Sequence, residues 1–247
     1  MKFLRVLHTY YGLTIFGILF ILFLPLLLIP ILLPKQFQLI GIFNRWWAKS
    51  LFVFTFLPYQ VECRSKLDPS QQYIFCPNHF SYLDIPTMGL NPINTIFVGK
   101  SEMEKIPLFG FMYSRLHITV DRSKLKSKFI SLQRSLEALK EGKSLVIYPE
   151  GGIVSRHPPH LTKFKDGAFR AAIEKQVAIV PVSIPYNYII MPDPPKYLYP
   201  RKIVVIFHEP IETKGMTLEN VDELKQKVYE VIQAELQKHN VTQTCLR

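Results

Sequence analysis

The sequence predicts an α/β domain, a mostly parallel sheet flanked by helices, preceded by an apolar helical hairpin. Two patterns predict it. From about residue 58 onward, short apolar runs of strand length alternate with stretches of helical periodicity, the alternation of a parallel sheet with helical crossovers. Before residue 58, two long apolar runs follow one another directly. The chain therefore divides into a membrane-associating hairpin, 1–57, and an α/β body, 58–247.

The first run, Leu13 to Leu33, reads LTIFGILFILFLPLLLIPILL. It has about the ~20 residues that a bilayer-crossing helix needs. Pro25 and Pro30 predict a kink. The second run, Leu39 to Leu57, is broken by Asn44, Arg45, Lys49 and the pair Trp46–Trp47. A cleaved signal peptide fits poorly, because no small-residue cleavage site follows and another apolar segment comes at once. Lys2 and Arg5 precede the first run, and Lys35, Arg45 and Lys49 follow it. Such balanced positive flanks suit a hairpin that returns to the face it entered, and the tryptophans suit an interfacial belt. Monotopic insertion is favoured over spanning.

In the body, strands are expected at 73–76, 95–98, 118–120, 144–148, 177–184 and 203–207. Leu125, Phe129, Leu132, Leu136 and Leu139 recur at helical spacing, with Gly142 as a stop. A shorter helix is expected at 169–174. Apolar positions 221, 224, 228, 231, 232 and 236 make 218–238 an amphipathic helix. Residues 191–200, MPDPPKYLYP, read as a surface loop.

The 247 residues are 48% hydrophobic and 20% charged, which provides a sizeable core and excludes global disorder. The net charge of +11 favours anionic partners: nucleic acid, an anionic membrane, or phosphorylated and acidic substrates. Cys63, Cys76 and Cys245 show no CxxC spacing, so neither a disulfide framework nor a zinc site is expected. Cys76 reads as a core residue.

Ligands of open α/β sheets sit beyond the carboxyl ends of strands. His79 follows one predicted strand and Glu150 another. In CPNHFSYLDIP, His79 and Asp84 stand five residues apart. On a regular helix they would diverge by ~140°, and on a strand they would face opposite ways. A bend after Pro77–Asn78 brings them together, with Ser81 capping a helix that holds Asp84 in its first turn. Asp84 then accepts from Nδ1 and leaves Nε2 as a general base. The competing bland reading is a dipole-favoured aspartate and a surface histidine. There is no GxSxG elbow and no HExxH. His157 and His160 form a loop pair without a third metal ligand. The simplest use of the base is to deprotonate a substrate hydroxyl.

NHFSYLD resembles the HxxxxD block of the glycerophospholipid acyltransferases, closest to the bacterial 1-acylglycerol-3-phosphate acyltransferases. Later blocks follow in order: FVGKSEMEKIPLFG (97–110), HITVDR (117–122), YPEGG (148–152), KFKDGAF (163–169) and IVPVSI (179–184). One departure stands out. The third block of that family is commonly E-G-T-R, and here Glu150–Gly151 precede Gly152–Ile153, with Arg156 as the nearest replacement.

The resemblance implies acyl transfer from a thioester to the sn-2 hydroxyl of lysophosphatidate, making phosphatidate. His79 is the implied base and Asp84 its orienter, and there is no acyl-enzyme. Arg122, with Lys105, Lys100 and Arg156, is implied in holding the acceptor phosphate. Glu150 is expected to accept from an acceptor hydroxyl or to order Arg122. Gly151 and Gly152 allow close approach, and backbone N–H groups after His79 are oxyanion candidates. No metal or other cofactor is implied. The implied partners are membrane lipids, lysophosphatidate and a thioester of acyl carrier protein or coenzyme A, with no nucleic acid. The implied place is the cytoplasmic face of the cell membrane. Glycerol 3-phosphate or another lysolipid as acceptor, a non-catalytic lipid-binding protein, and a hydrolase are the alternatives.

Overall fold

The computed structural model describes residues 2–194 and 197–244. Cys245 lies outside them. Helix α1 (Lys2–Leu32) is followed by a one-turn 3-10 helix (Pro34–Gln36) and α2 (Leu39–Phe54). The helix runs on through Pro25 and Pro30, so the expected kink does not interrupt it. Its last turns pack with α2 in a small apolar cluster of Leu27, Ile40 and Phe43, which offsets the hydrogen bonds that the prolines remove. At 31 residues α1 is about 46 Å long. It is apolar enough to cross a membrane, with mean hydropathy 3.0 over a stretch that is only 17% buried.

The body begins with β1 (Tyr59–Cys63) and β2 (Tyr73–Pro77), then α3 (Asp84–Met88) and β3 (Thr95–Lys100). A 3-10 helix (Ser101–Lys105), α4 (Phe109–Leu116), β4 (Ile118–Val120), α5 (Leu125–Lys140) and β5 (Ser144–Ile147) follow. The chain continues as α6 (Gly167–Lys175), β6 (Ala178–Ser183), α7 (Asn187–Ile190), β7 (Ile203–Phe207) and α8 (Val221–Thr244). The six predicted strands are present within two residues at each end. Strand β1 and helix α4 have no counterpart in the sequence reading. Strand β1 is an edge strand, only partly buried, and lacks the apolar run that marks the others.

The seven strands form one sheet in the order β1-β7-β6-β2-β5-β3-β4. Every neighbouring pair is parallel except β6 and β7. The central strand β2 is buried on both faces, as a covered parallel sheet requires. Its alternate side chains serve two cores. Tyr73 and Phe75 join Leu19, Ala48, Leu51 and Phe52 of the hairpin on one face. Ile74 and Cys76 join Leu136, Phe169, Leu224 and Val228 of α5, α6 and α8 on the other. Strands β2, β5, β3 and β4 run the same way, so their carboxyl ends share one rim.

Candidate active site

Strand β2 ends in a clasp. The Asn78 amide donates to the Ile184 carbonyl at 3.1 Å and accepts the Ile184 N–H at 2.7 Å. The chain then bends, and Asp84 is brought beneath it, fully buried. Its Oδ2 accepts the N–H groups of Phe80 (2.8 Å) and Ser81 (2.9 Å) and faces His79 Nδ1 at 3.1 Å. Its Oδ1 accepts from Asn187 Nδ2 at 2.9 Å, which also donates to Thr87 Oγ1. A carboxyl surrounded by donors is an acceptor only. His79 Nδ1 therefore carries a proton, and the lone pair of the neutral ring is on Nε2.

Ser81 does not cap the helix: the residue before α3 is Leu83, and Ser81 Oγ donates to the Met191 carbonyl while accepting the Leu83 N–H. The Asp84 carboxylate gathers the bend's free N–H groups instead. That also occupies the oxyanion candidates nearest His79. The N–H groups of Phe80 and Ser81 are taken by Asp84, and that of His79 by Glu150.

Glu150 follows β5 and is 2% exposed. Oε1 accepts the His79 N–H at 2.9 Å, and Oε2 accepts the Thr162 N–H (3.0 Å) and hydroxyl (2.9 Å). Burial pushes its carboxyl above the usual range, against the pull of these bonds and of His79. Neither oxygen bonds to Arg122, whose Nη1 goes to the Gly151 carbonyl; both oxygens already accept donors from the chain itself. The carboxylate fixes the backbone of His79. Its neighbour Tyr148 lies flat on the imidazole, ring centroids 4.1 Å apart and planes 26° apart. The Tyr148 hydroxyl is buried with no hydrogen-bond partner among the described residues.

Arg122 stands two residues beyond β4. Its Nη1 donates to the Gly151 carbonyl, and burial lowers the guanidinium pKa, opposed by Tyr113 and Glu102. Gly151 needs its freedom, with φ +81°, and a Cβ on Gly152 would meet Arg122 Nη1 at 3.3 Å. Lys100 ends β3 and Lys105 ends the following 3-10 helix; both are exposed and without ion pairs among the described residues. Arg156 is exposed on its loop and bonds to no described residue, so the position of the absent third-block arginine is not visibly refilled.

The rim thus joins His79 and Asp84 after β2, Glu150 with Gly151 after β5, Lys100 at β3 and Arg122 after β4. Sequence reasoning missed Tyr148, Thr162 and Asn187. Only Tyr148, inside a recognised block, carried any signal.

The acyltransferase family model matches residues 59–185, a little over half of the chain. The chain is 32% identical over 152 residues to the lyso-ornithine lipid O-acyltransferase of Pseudomonas aeruginosa, covering 61% of this chain and 56% of that one. It is 31% identical over 168 residues to a chloroplastic 1-acyl-sn-glycerol-3-phosphate acyltransferase of Arabidopsis thaliana, covering 67% and 46%. It therefore spans about half the length of these relatives. The crystal structure of the 1-acyl-sn-glycerophosphate acyltransferase PlsC of Thermotoga maritima superposes with a TM-score of 0.81 at 25% identity, covering 97% of both chains. Fold and sequence agree: the chain belongs to the acyltransferase family.

Proposed function

We propose that the chain transfers a fatty acyl group from a thioester to the sn-2 hydroxyl of a 1-acylglycerol 3-phosphate, producing phosphatidate. The observation that carries this is the His79–Asp84 contact on a rim shared with Arg122. His79 Nε2 takes the hydroxyl proton, and Asp84 stabilises the imidazolium that forms. The acceptor oxygen attacks the thioester carbonyl, and the C–S bond breaks. The departing thiolate takes the proton back from His79. A base so placed contributes about 10²–10⁴-fold. Arg122 offers the acceptor phosphate its remaining N–H groups, while Lys100 and Lys105 add charge at the entrance. The basic surface suits a donor on an acidic carrier protein or on coenzyme A.

The apolar outer face of α1 supports attachment at a membrane, where both lipids reside. We place the body on the cytoplasmic side. Relatives named for 1-acyl-sn-glycerol-3-phosphate support the acceptor. A second reading has one observation in its favour. Gly152–Ile153 leaves the rim short of a cation, and one relative is named for lyso-ornithine lipid, so another lysolipid is the alternative acceptor.

The test is acyl transfer in detergent with lysophosphatidate, glycerol 3-phosphate and lyso-ornithine lipid, for wild type and His79→Ala. Transfer to lysophosphatidate that falls at least a hundredfold in the variant is expected. Equal rates would end the dyad mechanism, preference for another acceptor would replace the substrate, and fatty acid release without acceptor would indicate a hydrolase.

A further inference from the structure

The chemistry of the rim leaves the other end of the sheet unused. A cavity of about 280 Å³ opens there. Arg115, just before β4, and Lys143, just before β5, line it, whereas Arg122 and Glu150 follow those same strands at the catalytic end. The rest of the lining is apolar: Pro30 and Ile31 come from the last turn of α1, Phe37 from the hairpin turn and Ile40 from the start of α2.

Both cations rest beside aromatic rings. Arg115 Cζ is 5.3 Å from the Phe111 centroid, and Lys143 Nζ is 5.0 Å from that of Phe37. Arg115 has no ion pair among the described residues. Lys143 pairs with Glu141, whose side chain is about half exposed, and such a pair stabilises little, so a phosphate can compete with it. Lys35, in the hairpin turn, adds a further positive charge nearby in the chain.

The cavity also stands at the end of a lipid-like stripe. Phe3, Leu7, Tyr10, Ile18, Ile21 and Leu32 are all exposed. At 100° per residue they fall on one side of α1 along its whole length. Such a stripe suits a helix lying in the membrane interface, and the cavity lies at the carboxyl end of that helix, beside Pro30 and Ile31.

We propose that this cavity is an accessory site for an anionic membrane lipid. The phosphate lies between Arg115 and Lys143, and the first methylenes lie against Pro30, Phe37 and Ile40. A free phosphate would leave the apolar wall unused, and an uncharged amphiphile would leave the two cations unmatched. The volume is just below the usual range for small-molecule sites, so it holds the head and the start of a chain while the rest leaves through the mouth. The site is independent of acyl transfer.

The experiment is a titration of the intact chain in uncharged detergent, read by native mass spectrometry. The probes are dioctanoyl phosphatidylglycerol, dioctanoyl phosphatidylcholine and inorganic phosphate. One saturable phosphatidylglycerol is expected, bound at least tenfold more weakly by Arg115→Gln/Lys143→Gln and by Ile31→Trp, which fills the mouth. Arg122→Gln should bind as wild type does. Thermal midpoints check that each variant is folded, and the two routes of blocking the site are independent. Binding that survives both variants, or that Arg122→Gln abolishes, overturns the proposal. So does equal binding of phosphatidylcholine, which means no headgroup recognition, or equal binding of phosphate, which means a plain anion site.

Discussion

The phenol ring of Tyr148 has its centroid 4.1 Å from that of the His79 imidazole, stacked on it, while the Tyr148 hydroxyl is buried without a partner among the described residues. The two parts of this side chain pull in opposite directions. The ring fixes the plane in which Nε2 points, and the unpaired hydroxyl costs stability. Tyr148→Phe is expected to keep the rate and raise the thermal midpoint, since an unmet buried hydroxyl costs about 1–3 kcal/mol. Tyr148→Leu is expected to lower kcat by about tenfold, because an aromatic contact is worth about 0.5–1.5 kcal/mol beyond area burial. Equal kcat losses in the two variants would shift the role from ring to hydroxyl.

Glu150 holds the backbone of His79 by accepting its N–H. Glu150→Gln keeps an acceptor for the His79 N–H but turns an NH₂ group toward the Thr162 N–H, or the reverse. A buried donor facing a donor costs about 1–3 kcal/mol. The expected outcome is a lower thermal midpoint together with a kcat loss of at least tenfold and little change in KM for the acceptor. A KM effect alone would return Glu150 to direct substrate contact.

Arg122→Lys separates the two acceptor readings. A lysine cannot hold the Gly151 carbonyl and a phosphate in the same planar fork. KM for lysophosphatidate should rise about tenfold, the loss of one charge-assisted hydrogen bond worth about 1.5 kcal/mol. KM for a lysolipid without phosphate should stay as it was. Steady-state kinetics with both acceptors decides the matter.

Acid should weaken the fold through His208. Its Nε2 lies 2.8 Å from Ser183 Oγ on the buried flank of β6 and β7, and burial lowers its pKa from 6.5 to about 4. The unfolded chain takes up this proton near pH 6.5 and the folded chain only near pH 4. Between these values the unfolded state binds more protons, so stability falls as pH falls. The slope from this one group is about 1.4 kcal/mol per pH unit. His208→Gln should flatten the dependence of the thermal midpoint on pH between 6.5 and 4. Parallel curves for variant and wild type would refute the assignment.

The sheet was largely legible because buried parallel strands are written as compact apolar runs, as in Tyr73–Cys76 and Ile203–Phe207. Strand β1 was not, because an edge strand carries Gln60 and Glu62 between its apolar residues. His79 and Asp84 could be paired from sequence, since a bend was the only way for a five-residue spacing to close. Asn187 could not: it lies 103 residues from Asp84, and nothing in its own neighbourhood marks it. Glu150 was placed on the right rim, but its partners within the chain were not foreseen. Its bonds to His79 and Thr162 depend on backbone directions in two loops, which no side-chain spacing encodes. The same holds for the N–H groups of Phe80 and Ser81, which Asp84 uses up before a substrate can.

The hairpin is also part of the interior. Ala48 and Phe52 of α2 are fully buried in the core that contains Phe75 and Val146 of the sheet. A worker seeking a water-soluble form for crystallisation should therefore not trim the amino terminus, because removal of residues 1–57 would bare one whole face of the sheet and invite aggregation. Recolouring is the better route: polar residues at Phe3, Leu7, Ile18 and Ile21 would change what the solvent meets and leave the inward packing alone.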